Sequence, residues 1–153
     1  MRSLPWQASS FQRVDMAETY TELYCHVVWA TWEREPLITP DIEPRVYAAI
    51  AAKCRALGAE PLAIGGLPDH VHLLVRFPSS LALAKLVQEV KGASSHLVTH
   101  ELRPGKFFKW QKGYGAFPVS REAVPRVAAY VREQKARHAR GALNEEFERL
   151  VKG

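Results

Sequence analysis

Apolar and polar positions follow two spacings along this chain, and the changes between them mark its elements. The clearest period-two stretch is Pro68-Asp69-His70-Val71-His72-Leu73-Leu74-Val75-Arg76-Phe77. Side chains alternate faces on a strand, so His70, His72, Leu74 and Arg76 share one face and Val71, Leu73, Val75 and Phe77 the other. A strand over 60–64 precedes it, and 65–69, opening on Gly65-Gly66, is the hairpin turn between them. Residues 21–31 are nearly continuously apolar around Tyr24, Val27, Val28 and Trp29, as expected of a central strand.

Helical spacing appears three times. Ile42, Val46, Ala49, Ile50, Cys54 and Leu57 form one stripe, with Asp41 as its N-cap, Pro44 in its first turn and Gly58 as its stop. Leu83, Leu86, Val87, Val90 and Leu97 form a second, capped by Ser79 or Ser80. Gly92 inside it is costly in a helix and suggests the close approach of a backbone or ligand. Val124, Val127, Ala128 and Val131 form a third, which starts at Ser120 and runs on past His138. An edge strand is predicted across 114–119, where Pro118 has no N–H to give a ladder. Residues 1–17 have no periodicity and are expected to be a disordered leader, with Met16 an alternative start; 18–153 is read as one domain. Residues 144–152 suggest a short C-terminal helix carrying Phe147 and Leu150.

The composition, 47% apolar over 153 residues, agrees with one globular core. No apolar run is long enough to span a bilayer, and the N-terminus has no signal pattern, so a cytoplasmic protein is expected. Cys25 and Cys54 are too few for a disulfide framework and are expected to be buried free thiols. The net charge of +5 is unevenly spread. Residues 1–80 carry 7 basic and 9 acidic side chains, whereas 81–140 carry 12 basic and 4 acidic. A positive field concentrated in the second half points to a polyanion, with nucleic acid the first candidate.

Two imidazoles at i and i+2 on a strand can converge on one divalent metal; the plain alternative is a pair of strand histidines that bind nothing. His26 is either a further ligand or a packed, hydrogen-bonded strand residue. A zinc site from Cys25, His26, His70 and His72 is a competing reading. In 103–119, Lys106, Lys109 and Lys112 interleave with Phe107, Phe108, Trp110 and Tyr114. That mixture suits single-stranded nucleic acid, since rings stack on bases and cations hold phosphates; it also describes a strand with core aromatics and solvated lysines. On the third helix Tyr130 and Gln134 lie one turn apart, with His138 continuing the line.

Taken in order, five segments resemble the IS200/IS605-type single-tyrosine transposases, within the histidine–hydrophobe–histidine (HUH) endonuclease class. They are Tyr24-Cys25-His26-Val27-Val28-Trp29-Ala30-Thr31, the His70-Val71-His72 strand, Val90-Lys91-Gly92-Ala93-Ser94-Ser95, Trp110-Gln111-Lys112-Gly113-Tyr114, and Tyr130-Val131-Arg132-Glu133-Gln134. The tail from His138 to Leu150 is similar to the REP-associated branch. The resemblance covers about residues 20–150; the leader and Cys25 depart from the pattern.

The resemblance implies an α+β domain of the ferredoxin-like or RRM-like kind. Its antiparallel sheet has two helices on one face, and the other face carries the histidines and receives DNA. A C-terminal helix bears the tyrosine. By the same resemblance His70, His72 and Gln134 hold Mg²⁺ or Mn²⁺, with His138 the alternative to Gln134. Tyr130 is the nucleophile that forms a 5′-phosphotyrosine on hairpin-marked single-stranded DNA. Lys91, Ser94, Ser95 and Lys135 are candidate DNA contacts. The partner implied besides DNA is a second copy in a homodimer, whose tyrosine helix can complete the site, and the location implied is nucleoid-associated. A domesticated relative acting on chromosomal repeats is the second reading, and a non-catalytic RRM-like binding module the third.

Overall fold

The computed structural model of the protein describes residues 19–140, so the leader and the C-terminal helix expected at 144–152 lie outside the described residues. Four strands form one antiparallel sheet: β1 (Tyr24–Ala30), β2 (Glu60–Leu67), β3 (His70–Arg76) and β4 (Gly115–Val119). Their order is β2-β3-β1-β4. Helix α1 (Glu43–Ala56) connects β1 to β2, and α2 (Leu83–Leu97) lies between β3 and β4. This βαββαβ succession with β1 and β3 central is the ferredoxin-like arrangement that the resemblance led us to expect.

The alternation in the histidine strand holds. Val71, Leu73 and Val75 enter the main core with Cys25, Val27 and Trp29 of β1, beneath Val46, Ile50 and Cys54 of α1 and Leu86, Val87 and Val90 of α2. On the opposite face Leu74 packs with Ala63, Val127, Ala128 and Val131. That second face is therefore not bare: α3 (Val124–Arg132) lies across β2 and β3.

Several local expectations change. Gly65 and Gly66 belong to β2, which runs to Leu67, and the turn is only Pro68-Asp69. Their smallness serves close approach, of the α3 backbone at Gly65 and of the neighbouring strand at Gly66. A Cβ on Gly65 would lie 2.0 Å from the Val131 carbonyl oxygen, and one on Gly66 2.2 Å from that of His70. Gly92 is the reverse case, with nothing within 4 Å of its would-be Cβ. Asp41 does not cap α1: Ile42 stands at that position, and the Asp41 carboxylate accepts from Arg103 Nη2 at 2.7 Å. Ser79 and Ser80 do not cap α2 either, which begins after an extended Ala82. Gly58, at φ +83°, ends α1 as expected. A π-helical turn, Val98–Leu102, continues α2.

The third predicted helix is three pieces. Ser120 accepts from the Ala123 N–H at 3.3 Å to start a short 3-10 turn, Arg121–Ala123. Then come α3 and, after a break at Glu133, α4 (Gln134–Arg140). The break falls between Tyr130 and Gln134, yet the backbone still carries both side chains inward.

Candidate active site

Pairing register places the histidines. β1 runs antiparallel to β3 with Val28 opposite His72 and Ala30 opposite His70, so His26 sits diagonally from His72 on the same face. His26 Nε2 lies 2.8 Å from His72 Nδ1. His26 is thus the hydrogen-bonded strand residue of the two alternatives. The rings of His70 and His72 are 5.0 Å apart and tilted by 69°. Cys25 points into the core on the other face, so the sheet separates it from the histidines, and the thiolate-closed zinc site is not assembled.

Helix α3 completes the cluster because Gly65 lets its backbone settle onto β2. The Tyr130 ring stands edge-on to His72 at 5.8 Å and to His26 at 6.1 Å, and the Arg137 guanidinium lies 5.1 Å from its centre. Gln134 is held at both ends of its amide. Its Nε2 donates to the Tyr130 carbonyl at 3.1 Å, and its Oε1 accepts from His138 Nε2 at 3.1 Å. The His138 ring is 5.2 Å from that of His70. The site is closed: His70 and His72 are fully buried, Gln134 is 1% exposed and Tyr130 7%. All of it comes from one chain.

The donor set suits a divalent cation. Among the described residues no three His, Cys, Asp or Glu side chains form a group able to hold a metal ion. The Gln134 carboxamide oxygen keeps a second lone pair beside the bond from His138, whose ring in turn lies next to His70. Two imidazoles and an amide oxygen leave coordination positions for phosphate oxygens and water.

A further residue pair went unnoticed in the sequence. Asp69 Oδ1 is 2.8 Å from His70 Nδ1, and Asp69 Oδ2 accepts from Arg34 Nη2 at 3.0 Å. Burial pushes the Asp69 carboxyl upward, but the His70 hydrogen bond and the Arg34 charge outweigh it and leave it below the usual carboxylate range. The available signal was adjacency: Asp69 directly precedes the first histidine.

The DNA-contact candidates are placed differently from one another. Lys91 is half-buried, and its ammonium donates to the carbonyls of Gln111 at 2.8 Å and Gly113 at 3.1 Å. Burial lowers its pKa. The Ser94 hydroxyl is fully buried, donates to the Val90 carbonyl and accepts from Trp110 Nε1 at 3.1 Å. Ser95 is only partly covered. Lys135 is exposed and pairs with Glu43 at 2.6 Å. In the basic aromatic stretch both functions coexist: Phe108 and Trp110 are core, while Phe107 is 61% exposed and Tyr114 is at the surface. Lys109 Nζ lies 4.2 Å over the Trp32 ring. No helix among the described residues is long and apolar enough to cross a membrane.

Residues 19–134 match the family model described as "Transposase IS200 like". The ISDra2 transposase TnpA of Deinococcus radiodurans is 23% identical over 118 residues, covering 74% of this chain and 84% of that protein. The fold is shared with a crystal structure of a candidate transposase from D. radiodurans R1, at TM-score 0.58 and 21% identity over 77% of this chain and 95% of that one. It is also shared with a REP-associated tyrosine transposase bound to a REP hairpin, at TM-score 0.57 and 16% identity over 77% and 70% of the two chains.

Proposed function

The chain belongs to the IS200-like transposase family, and from that premise we propose that it cuts and rejoins single-stranded DNA at hairpin-marked sites through a covalent tyrosine intermediate. The observation that carries the proposal is the meeting of Tyr130 with His72 and His26, rings 5.8 and 6.1 Å apart, inside one buried cluster. A tyrosine at a helix edge needs no such company to be stable.

In this reading Tyr130 is the nucleophile. Its phenolic oxygen bonds to the scissile phosphorus while the bond from phosphorus to the 3′ oxygen breaks. The products are a 5′-phosphotyrosine and a 3′-hydroxyl, which takes up the proton. The phosphodiester energy is retained for rejoining, and the reverse attack by a 3′-hydroxyl releases the enzyme. His70, His72 and Gln134 would hold Mg²⁺ or Mn²⁺, which would supply Lewis-acid polarisation of the phosphate. The Arg137 guanidinium, paired with Glu133, lies beside the Tyr130 ring and places a cation next to the nucleophile. Phosphates are met by the exposed basic groups of the second half, Lys106, Lys109, Lys112 and Lys135, with Ser95 at the margin. Phe107 and Tyr114 offer rings for bases. Because the cluster is covered, DNA reaches it only once the residues over it move aside.

A second reading, a domesticated relative that processes chromosomal repeats without moving its own gene, draws support from the structural neighbour bound to a REP hairpin. Both readings require cleavage, and both fit a nucleoid-associated, homodimeric protein. The test is a covalent adduct. Labelled hairpin DNA with a single-stranded flank, incubated with the protein and Mn²⁺, should give a species that survives a denaturing gel. Tyr130→Phe should abolish it, and an adduct undiminished in that variant would remove Tyr130 as nucleophile.

A further inference from the structure

We infer that Asp69 and His26 are positioning residues that fix the proton of each histidine of the pair at Nδ1 and so present both Nε2 lone pairs to the ion. The inference rests on the reading above, that His70 and His72 hold a metal. That reading gives neither Asp69 nor His26 a chemical role.

The geometry is the same at both rings. His70 is tied at Nδ1 to Asp69 Oδ1, and His72 is tied at Nδ1 to His26 Nε2, each at 2.8 Å. A carboxylate only accepts, so His70 Nδ1 carries the proton and a neutral ring then keeps its lone pair at Nε2. At His72 the partner is a second imidazole, and one proton lies between the rings. An ion at Nε2 requires that proton to sit on His72 Nδ1, with His26 Nε2 accepting. His26 is therefore the Nδ1–H tautomer. Such outer partners orient metal-bound imidazoles and raise their basicity.

The support for Asp69 extends further, through residues that the motifs contain but the chemistry above does not use. Its other oxygen is held by Arg34, one of two successive residues, Glu33 and Arg34, with φ near +50°. Side-chain-bearing residues rarely adopt that conformation, and where they do it is over-determined by neighbours. Here the Glu33 N–H donates to Gln111 Oε1 at 2.9 Å, and the Gln111 carbonyl accepts from Lys91 Nζ at 2.8 Å. Lys91, Gln111, Arg34 and Asp69 thus form a continuous brace that ends on His70. This gives the buried ammonium of Lys91 a role in the site without contact with DNA.

Long-range proton–nitrogen NMR reads the tautomers directly. At about pH 8, above the usual imidazole range, His70 should appear as Nδ1–H, and His72 should do so once Mg²⁺ is added. Asp69→Ala should return His70 to a mixture and leave His72 unchanged, and His26→Phe at the same Mg²⁺ level should do the converse. Mn²⁺ affinity, followed by electron paramagnetic resonance, should fall about tenfold to a hundredfold in either variant. Asp69→Asn keeps an acceptor oxygen and should restore most of it. An Nε2–H tautomer in the wild type, at His70 or at His72 with Mg²⁺ added, would overturn the inference, as would an unchanged Mn²⁺ affinity in folded Asp69→Ala. If the wild type and His70→Ala hold Mn²⁺ equally, the metal reading fails instead, and the His70 tautomer still decides the positioning role of Asp69.

Discussion

At the residue scale the most demanding position is Gly65, where the path of one strand and the docking of the tyrosine helix meet. A methyl group there would need the space of the Val131 carbonyl oxygen, 2.0 Å away, and neither backbone can yield without parting α3 from the sheet. Overpacking of this kind costs about 1–3 kcal/mol. Gly65→Ala should therefore lower the melting temperature by several degrees and reduce adduct formation with it, whereas Gly92→Ala, in open space, should stabilise the fold by up to about 1 kcal/mol. Thermal melts of the two variants check the contrast. In the sequence Gly65 reads as a turn and Gly92 as a close contact; in the structure the close contact is at Gly65 and Gly92 faces open space, because only three-dimensional neighbours distinguish them. The thiols were easier to place. Cys25 and Cys54 are free and buried, and burial pushes each up to about 11. A thiol whose folded pKa is raised stabilises the fold fully below its unfolded value near 9 and loses that contribution as pH rises towards 11. Denaturant titrations across this window should show falling stability, and Cys54→Ala should flatten the fall.

The elements were legible wherever hydrophobic spacing alone defines them. The alternation at His70–Arg76 gave the correct faces, the stripes of α1 and α2 cover the correct side, and Gly115–Val119 is the expected edge strand. Element ends were not legible, because caps compete with tertiary partners: Asp41 is taken by Arg103, and the serines before α2 lie in a turn that ends short of it. Ser120 alone keeps a capping hydrogen bond. Ser120→Ala should then cost about 0.5–1 kcal/mol, and replacing Ser79 and Ser80 by alanine should change stability by less than about 0.5 kcal/mol, both measured by chemical denaturation. The break at Glu133 carried no proline or glycine to announce it. What the sequence did carry was the i, i+4 relation of Tyr130 and Gln134, which survives the break as a hydrogen bond from the Gln134 amide to the Tyr130 carbonyl.

For the whole molecule, Tyr130 lies beside His72 and His26 within a single chain. The resemblance led us to expect that a partner's tyrosine helix can complete the site. In the structure α3 and α4 are both anchored locally: Val131 of α3 sits over Gly65, and Lys135 of α4 bonds to Glu43 of α1 and to the Gly66 carbonyl. Exchanging this helix between copies would require breaking all of these contacts, and the packing of Val127, Ala128 and Val131 on Ala63 and Leu74, before the partner's equivalents could replace them. A mixture of two inactive proteins separates the arrangements. Tyr130→Phe keeps its histidines and His72→Ala keeps its tyrosine, so a swapped pair assembles one intact site and a local arrangement assembles none. Mixed and allowed to exchange subunits, the two should yield no more adduct on hairpin DNA than the sum of each alone, while recovery of a substantial fraction of wild-type yield would show that the tyrosine helix crosses between copies when DNA is bound.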